Sequence, residues 1–266
     1  MTSDIRAIIA KRLTDAGLDN AQAEARFICE AASDHADAEI MATRRISREP
    51  LSQILGTQPF WTLDLKITSD VLTPRADTET LVEQALKAIP EKDGDYAIVD
   101  LGTGSGAILL ALLSERSNAT GLGIDSSRSA LDIANTNAAR NNLASQARFD
   151  LGNWADGLPD NQFDLAVSNP PYIATDVLAG LEPEVRDHEP HMALDGGVDG
   201  LDVYRILISE LFRILVPGGD ALVEIGYDQS EAVQAMFERA GFVDVSMTRD
   251  LAGNPRVVSG HKAAKR

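Results

Sequence analysis

Cysteine is almost absent from this sequence, since the 266 residues contain only Cys29. An internal disulfide framework is therefore excluded, and so is a cysteine-rich metal site. The histidines His35, His188, His191 and His261 lack the spacing of metal ligands, so we expect no metal centre. Long apolar runs are missing too, because none approaches the ~18 residues that a membrane helix needs. Charged residues interrupt the first apolar segment, unlike in a signal peptide, and we expect a cytoplasmic protein without membrane attachment.

Basic residues are scarce relative to acidic ones. The chain has 24 Lys and Arg against 41 Asp and Glu, which gives a formal net charge of −17. Such a surface repels a phosphate backbone at long range and disfavours nucleic acid as a partner. Hydrophobic residues make up 44% of the chain, which is enough to build a large core.

Residues 1–57 are predicted to form a small N-terminal helical domain, because apolar residues recur there at helical spacing. The first helix is expected to bury a face formed by Ile5, Ile8, Ile9 and Leu13. We interpret this domain as an appendage to a larger unit.

The pattern changes after the helices. Leu63, Leu65 and Ile67 alternate with polar residues, so residues 58–73 are predicted to form a β-hairpin linker. Residues 74–266 then repeat strand and helix patterns, which predicts an α/β fold with a doubly wound, mostly parallel sheet. The last two strands have no helix between them and are expected to pair antiparallel. Ligands of such sheets bind at the carboxyl ends of the strands.

A glycine-rich loop follows the first strand of this sheet, in "VDLGTGSGAI". Gly102, Gly104 and Gly106 allow a sharp turn and the close approach of a ligand. Asp125 ends the next strand, where a carboxylate can accept hydrogen bonds from both hydroxyl groups of a ribose. This layout favours S-adenosylmethionine. NAD remains the alternative, although it prefers the spacing G-x-G-x-x-G.

A second motif, "NPPY", ends the fourth strand. Pro170 and Pro171 stiffen the turn, so the Asn169 side-chain oxygen and the Pro170 carbonyl can converge on one point. Two convergent acceptors suit a neutral –NH₂ group, and Tyr172 supplies a flat wall for a planar group. Holding both N–H bonds orients the nitrogen toward a methyl donor and stabilises the positive charge that grows on it.

Three functions remain open at this point. The –NH₂ group is either a protein amide or the N6 amino group of adenine in DNA or RNA, which would have to be flipped out of the stack. The third is a nucleoside-binding module without chemistry, which would not need to grip an –NH₂ group. The acidic composition and the lack of a basic arm disfavour the nucleic acid.

At this point the sequence resembles the protein-(glutamine-N5) methyltransferase family, and within it the release factor glutamine methyltransferases. The similar segments cover nearly the whole chain: "REPLSQILGTQPFWTLDL", "VLTPRADTETLVEQAL", "IVDLGTGSGAILLAL", "VSNPPYI", "EPHMALDGGVDGLDVYR" and "LVPGGDALVEIG". "NPPY" also occurs in adenine methyltransferases and is only moderately specific. The segment "PRADTE" is more specific, and in it the related enzymes that modify a ribosomal-protein glutamine tend to differ.

The resemblance implies a Rossmann-like class I S-adenosylmethionine-dependent methyltransferase fold with a seven-stranded, mostly parallel sheet. It implies that Asp125 holds the ribose of S-adenosylmethionine and that Trp154 lies near the adenine. The glycine loop would wrap the methionine end, and the product would be S-adenosylhomocysteine. The implied cofactor-binding residues of the loop are Gly102, Thr103, Gly104, Ser105 and Gly106.

The implied substrate is the glutamine in the Gly-Gly-Gln motif of a class 1 peptide chain release factor, docked with help from the N-terminal helices. Asn169, Pro170, Pro171 and Tyr172 would bind it, with Asn169, Pro170 and Tyr172 in the catalytic role and Asn169 also near the cofactor. We expect a monomer with this protein partner, no nucleic acid and no membrane.

Two positions depart from the family pattern. Ala76 stands where a second proline is usual, and Asn153 stands before Trp154 where an aspartate is usual, which weakens an adenine contact. In the same segment, Asp77 is expected to cap the following helix. Arg75 is expected either to shape the active site or to pair with a neighbouring carboxylate.

Overall fold

The N-terminal part of the computed structural model, which describes residues 3–264, is a small bundle of helices. The four helices are α1 (Ser3–Asp15), α2 (Ala21–Ala31), α3 (His35–Ile46) and α4 (Leu51–Leu55). Their apolar faces meet in one core that includes the fully buried Ile9, Leu13 and Ile28. The prediction for Ile8 is wrong, because its side chain is 53% exposed. Ile5, Ile9 and Leu13 are four residues apart and form a narrow stripe, and Ile8 lies beside it.

A two-stranded antiparallel hairpin follows α4 and consists of β1 (Thr57–Phe60) and β2 (Leu63–Lys66). Two sets of hydrogen bonds attach it to the larger domain. The carboxamide of Asn137 accepts from the Lys66 N–H at 2.6 Å and donates to the Lys66 carbonyl and to the Ser105 carbonyl. The Glu79 carboxylate accepts from the Trp61 N–H at 2.8 Å. The hairpin is therefore held against the glycine loop.

The remainder of the chain forms a seven-stranded sheet with the order β5-β4-β3-β6-β7-β9-β8. Its strands are β3 (Ala97–Leu101), β4 (Thr120–Asp125), β5 (Ala147–Leu151), β6 (Phe163–Ser168), β7 (Leu215–Glu224), β8 (Val243–Arg249) and β9 (Pro255–His261). Strands β3 to β7 pair in parallel, and β9 pairs antiparallel with both β7 and β8. The predicted fold class and the antiparallel closing strands are confirmed.

Helices cover both faces of this sheet, because its inner strands are apolar on both sides. They are α5 (Glu79–Ala88), α6 (Ala107–Glu115), α7 (Arg128–Arg140), α9 (Asp202–Ile214) and α10 (Ser230–Ala240), whereas the short α8 (Pro183–Arg186) lies in the segment between β6 and α9. The prediction that Asp77 caps α5 is wrong. The N-cap residue is Thr78, without a side-chain cap hydrogen bond, and Asp77 pairs with Arg256 at 3.5 Å.

The long segment between β6 and α9, residues 169–201, connects the sheet domain to the N-terminal helices. Glu184 in α8 accepts from Arg45 at 3.0 Å and from Arg48 at 3.2 Å. Arg45 is also paired with Glu24 at 2.7 Å. The side chain of Gln53 donates to the His188 carbonyl at 3.0 Å. These contacts place the N-terminal helices beside the segment that follows the NPPY turn.

Across residues 3–264, none of the helices is both long enough and apolar enough to cross a membrane. In that same range, no group of three or more His, Cys, Asp and Glu side chains is placed to hold a metal ion.

Candidate active site

A cavity of about 300 Å³ opens at the carboxyl ends of β3, β4 and β6. Ligands of open α/β sheets bind at this edge, where the strand order reverses. Of the residues singled out from the sequence, the cavity is lined by Gly102, Gly104, Asp125, Asn153, Trp154, Asn169 and Pro171. The two motifs, which are far apart in the sequence, therefore share one space.

The glycine loop is held tightly against β4, because the N–H groups of Gly102 and Thr103 both donate to the Ile124 carbonyl, at 2.8 and 3.0 Å. Gly102 and Gly104 have φ angles of 76° and 54°, a region that favours glycine. A Cβ atom on Gly104 would meet no atom within 4 Å, so this position faces open space in the cavity. The loop thus presents bare backbone to a ligand.

The other loop residues have different roles. Thr103 and Ser105 are buried, and neither they nor Gly106 line the cavity. Gly106 is the N-cap of α6 with φ 81°, and a Cβ atom there would lie 3.3 Å from Ala134. The sequence motif therefore contains two residues that face the cavity and three that form the turn beneath it.

Asp125 ends β4 and lines the cavity. One carboxylate oxygen accepts from the Gly104 N–H at 2.8 Å and the other from the Ser127 N–H at 2.9 Å. Each carboxylate oxygen has two lone pairs, so both oxygens keep capacity for hydroxyl donors of a ligand. Asp125 thus fixes the loop and offers the acceptors that a ribose needs.

A second carboxylate, that of Asp100, is fully buried beneath the loop. Burial raises its pKa to about 7, although the Thr103 hydroxyl, which donates to Asp100 at 2.7 Å, opposes the rise. Its other oxygen, Oδ1, has no hydrogen-bond partner among the described residues. A cationic ligand in the loop would favour the ionised form of this group.

Trp154 lines the cavity and packs against the glycine loop. Its ring is 3.3 Å from the position that a Cβ atom of Gly102 would occupy, so glycine is required for the ring to pack there. Trp154 itself has φ 51°, which turns the chain sharply after β5. Its neighbour Asn153 is exposed at the cavity rim and donates to Asp156 at 3.4 Å. The ring provides an apolar wall for a planar group.

The NPPY turn directly follows β6. Asn169 and Pro171 line the cavity, whereas Pro170 is buried and Tyr172 packs against the core beside it. Among the described residues, none donates a hydrogen bond to the Asn169 side-chain oxygen or to the Pro170 carbonyl. Two acceptors without protein donors therefore belong to adjacent residues, of which Asn169 lines the cavity and Pro170 lies buried beside it.

The hydroxyl group of Tyr172 is directed away from the cavity. Its hydroxyl donates to Glu224 Oε1 at 3.2 Å, and burial raises the pKa of this tyrosine. Glu224 ends β7 and is itself buried. The tyrosine hydroxyl is thus occupied by a structural partner, and the ring packs against the core beside the cavity.

The backbone of the turn is held by residues 196–200 and by Gln229. A Cβ atom on Gly200 would lie 2.3 Å from the Tyr172 carbonyl oxygen, and one on Gly196 would lie 2.8 Å from Tyr172 Cα. The Gln229 side chain donates to the same Tyr172 carbonyl at 2.9 Å. These glycines are needed because two backbone segments touch there, which explains the "DGGVDG" motif.

Arg75 pairs with Glu189, with N···O distances of 2.7 and 2.8 Å. The Glu189 side chain is almost completely buried, and burial raises its pKa while Arg75 opposes the rise. Of the two expectations for Arg75, the structure shows the pairing with a carboxylate. The pair connects the "PRADTE" and "EPHMALDGG" segments beside the cavity.

Several lining residues were not singled out from the sequence. Most belong to the segment after the hairpin and to the segment between β6 and α9, and the others follow β4 and β5: Ser69, Asp70, Val71, Leu72, Pro190, Met192, Ala193, Ser126, Ser127, Ser129, Ala130 and Gly152. The Met192 side chain is 61% exposed, which is unusual for methionine. This exposure points to a functional residue, but it cannot be read from the sequence. Most of these lining residues come from loops without a fixed period, so their position depends on tertiary packing.

The comparisons with known proteins agree with this geometry. A sequence-family profile described as "Methyltransferase domain" matches residues 92–246. A release factor glutamine methyltransferase of Caulobacter vibrioides is 48% identical over 94% of this chain and 93% of its own. A protein of the same name from Bradyrhizobium diazoefficiens is 42% identical over 97% of this chain and 93% of its own. A solved methyltransferase structure from Pyrococcus furiosus aligns with a TM-score of 0.56 over 86% of this chain and 98% of its own, at 18% identity, which indicates a shared fold.

Proposed function

The chain belongs to the family of release factor glutamine methyltransferases, and on this premise we propose that it methylates the glutamine of the Gly-Gly-Gln motif in class 1 peptide chain release factors. The methyl group goes to the side-chain amide nitrogen. S-adenosylmethionine, which methyltransferase domains use in general, is the donor, and S-adenosylhomocysteine is the product.

The cavity fits the donor in three respects. Gly104 offers backbone without a side chain, Asp125 offers carboxylate oxygens for the ribose, and Trp154 offers a flat apolar wall for the adenine. The buried Asp100 beneath the loop, whose pKa is raised to about 7, complements a cationic ligand when it is ionised. When bound, S-adenosylmethionine supplies a methyl group on a positively charged sulfur.

The acceptor amide belongs at the NPPY turn. The Asn169 side-chain oxygen and the Pro170 carbonyl each accept one N–H of the glutamine –NH₂ group, and the Tyr172 ring packs against its plane. An amide nitrogen is a weak nucleophile because its lone pair is delocalised into the carbonyl group. The two acceptors orient this nitrogen and stabilise the positive charge that develops during transfer. The N–H proton is lost after the methyl group has arrived.

One observation carries this proposal. Asn169 lines the same cavity as Gly104 and Asp125, and its side-chain oxygen accepts no hydrogen bond from any described residue. Because Asn169 borders the cavity, this oxygen can accept a hydrogen bond from a bound –NH₂ group.

The test is a labelling experiment with the purified protein and S-adenosylmethionine that carries a labelled methyl group. Three acceptors are offered separately: a class 1 release factor, a mixture of ribosomal proteins, and DNA. We expect label in the release factor, at the glutamine of its Gly-Gly-Gln motif by mass spectrometry. A release factor in which that glutamine is replaced by glutamate is the matched control.

The other two acceptors provide the contrary outcomes. Label in ribosomal protein but not in the release factor would assign the chain to a different glutamine substrate. Label in DNA alone would overturn the proposal, because the acceptor pair would then serve the N6 amino group of adenine.

A further inference from the structure

We propose that Thr78 and Glu224 are positioning residues that set which end of the Asn169 carboxamide faces the acceptor. This inference rests on the proposed function of Asn169 and deepens it. A carboxamide has a donor end and an acceptor end of nearly equal shape, so something in the protein must choose between them.

Thr78 is the residue that contacts the donor end. The Asn169 Nδ2 group donates to the Thr78 hydroxyl oxygen at 3.4 Å. Such hydrogen bonds are often long without substrate and tighten in the productive complex. Thr78 is only 3% exposed, so water cannot readily replace this contact. With Nδ2 engaged, the oxygen of the carboxamide is left for the substrate.

Glu224 is the residue that orients the hydroxyl of Thr78. Its carboxylate is buried and accepts from the Tyr172 hydroxyl at 3.2 Å. The Thr78 hydroxyl lies near enough to lower the pKa of Glu224. Its second oxygen, Oε2, has no partner within the described part of the chain that meets hydrogen-bond geometry. An ionised carboxylate accepts only, so the Thr78 hydroxyl turns its single proton toward Glu224. The Thr78 oxygen can then only accept, and it selects the –NH₂ end of Asn169.

The proposed hydrogen bonds therefore all run in one direction. The substrate –NH₂ group donates to the Asn169 oxygen, the Asn169 –NH₂ group donates to Thr78, and the Thr78 hydroxyl donates to Glu224. If Glu224 gains a proton, the hydroxyl of Thr78 is released to donate. It can then bind the oxygen of Asn169, so that the carboxamide turns its –NH₂ group to the substrate. Two –NH₂ groups would then face each other, and the acceptor amide would lose one of its two partners.

The surroundings of Glu224 put this protonation step in an accessible range. Burial raises its pKa to about 7, Arg256 on β9 and Tyr172 oppose the rise, and Asp77 adds to it. The Tyr204 hydroxyl on α9 donates to the Glu224 main-chain carbonyl at 2.7 Å and not to the carboxylate. We expect methyl transfer to decrease as the pH falls through about 7.

The first test compares Thr78→Val, which removes the hydroxyl at nearly constant volume, with Thr78→Ser, which keeps it. Single-turnover methyl transfer is measured at saturating S-adenosylmethionine, and the Kd for the cofactor is measured by calorimetry. We expect Thr78→Val to slow transfer roughly 10-fold, by analogy with the loss of one hydrogen bond, with an unchanged Kd. Thr78→Ser retains the wild-type rate. Thr73→Val is the matched control. Thr73 lies in the same segment as Thr78, and its buried hydroxyl contacts that of Ser52 and not Asn169.

The second test is the pH profile of Glu224→Gln, which does not depend on whether Thr78→Val folds. We expect Glu224→Gln to transfer the methyl group more slowly than wild type. We also expect it to lose the part of the rate decrease at low pH that the protonation of Glu224 causes. Asp100 also has a pKa of about 7, so the comparison with wild type isolates the contribution of Glu224. A wild-type rate in Thr78→Val, an equally slow Thr78→Ser, or an unchanged profile in Glu224→Gln would each overturn the inference.

The outcome stays separate from that of the proposed function. If the wild-type protein labels adenine in DNA instead of a release factor, the proposed substrate is wrong. The same variants can then be assayed with that acceptor, because Asn169 would hold an –NH₂ group in both cases.

Discussion

Replacement of Asn169 is expected to separate the effect on the acceptor from the effect on the cofactor. We expect Asn169→Ala to slow methyl transfer ~100-fold or more, as for the loss of one preorganised hydrogen-bond partner of a transition state. The Kd for S-adenosylmethionine changes much less, because the donor contacts assigned to the glycine loop and Asp125 remain. Single-turnover labelling and calorimetry measure the two quantities. Asn118→Ala is the control, since Asn118 is an exposed residue that donates to the Asp93 carbonyl. Equal losses in both quantities would mean that Asn169 serves the fold.

Asp125 has the opposite expected profile. We expect Asp125→Ala to weaken S-adenosylmethionine binding by roughly 10-fold or more, because it removes charged acceptors and leaves the Gly104 and Ser127 N–H groups without their carboxylate. Transfer at saturating cofactor falls less than binding does. Asp125→Asn keeps one acceptor oxygen and is expected to lie between Ala and wild type. An unchanged Kd in Asp125→Ala would remove this residue from the cofactor site.

Individual side-chain directions were the least predictable feature of the site. The spacing of Gly102, Gly104 and Gly106 predicted a tight loop, and the loop is present. The same letters did not reveal that Thr103 and Ser105 are buried while Gly104 borders the cavity. Direction depends on φ and ψ at each residue, and these follow from the contacts with β4 and α7.

At the scale of elements, the segment between β6 and α9 borders the cavity and supports the NPPY turn. Gly200 has φ 73° and touches the Tyr172 carbonyl, so a side chain there is strained and displaces the turn. We expect Gly200→Ala to slow transfer by more than ~10-fold and to destabilise the protein by about 1–3 kcal/mol. Transfer assays and urea unfolding measure these effects.

Gly180 provides the matched control for that prediction. It lies in the same segment, its φ is not positive, and a Cβ atom there would meet no atom within 4 Å. Gly180→Ala is therefore expected to behave as wild type in both assays. Equal behaviour of the two variants would show that the contact between Gly200 and Tyr172 does not maintain the turn.

The start of α5 shows why some element boundaries escape sequence reasoning. An aspartate before an apolar helical pattern is a typical cap, and Asp77 was assigned that role. In the structure its partner is Arg256, which is distant in the sequence and reaches it from β9. Local helix propensity does not include Arg256, which approaches Asp77 only in the folded chain.

For the whole molecule, local periodicity was sufficient to predict the fold class. Alternating strand and helix patterns specify a doubly wound sheet, since crossover connections have one preferred hand. The attachment of the N-terminal helices was not predictable in the same way. It depends on Arg45, Glu184 and Gln53, whose charged or polar side chains look like ordinary surface residues until both surfaces are known.

The two buried acids predict how stability depends on pH. The pKa values of Asp100 and Glu224 are raised by burial to about 7, from ordinary values of 3.8 and 4.5. The folded state therefore binds more protons than the unfolded state between those values, and the stability that these groups contribute is lost as the pH rises toward and through about 7. Acids whose pKa is lowered, such as Glu184, act in the opposite direction, so total stability alone does not isolate the effect.

Comparison of a variant with wild type does isolate it. We expect Asp100→Asn to reduce the loss of unfolding free energy between pH 5 and pH 8 by more than about 1 kcal/mol, because one pKa unit corresponds to about 1.4 kcal/mol. Urea unfolding at the two pH values measures the difference. A saturating cationic cofactor in the loop favours ionised Asp100, so it is expected to release protons from the wild-type protein near pH 7 and fewer from Asp100→Asn. Equal pH dependence in the two proteins would mean that Asp100 is not protonated in the folded state, and that the loop holds its charge without a ligand.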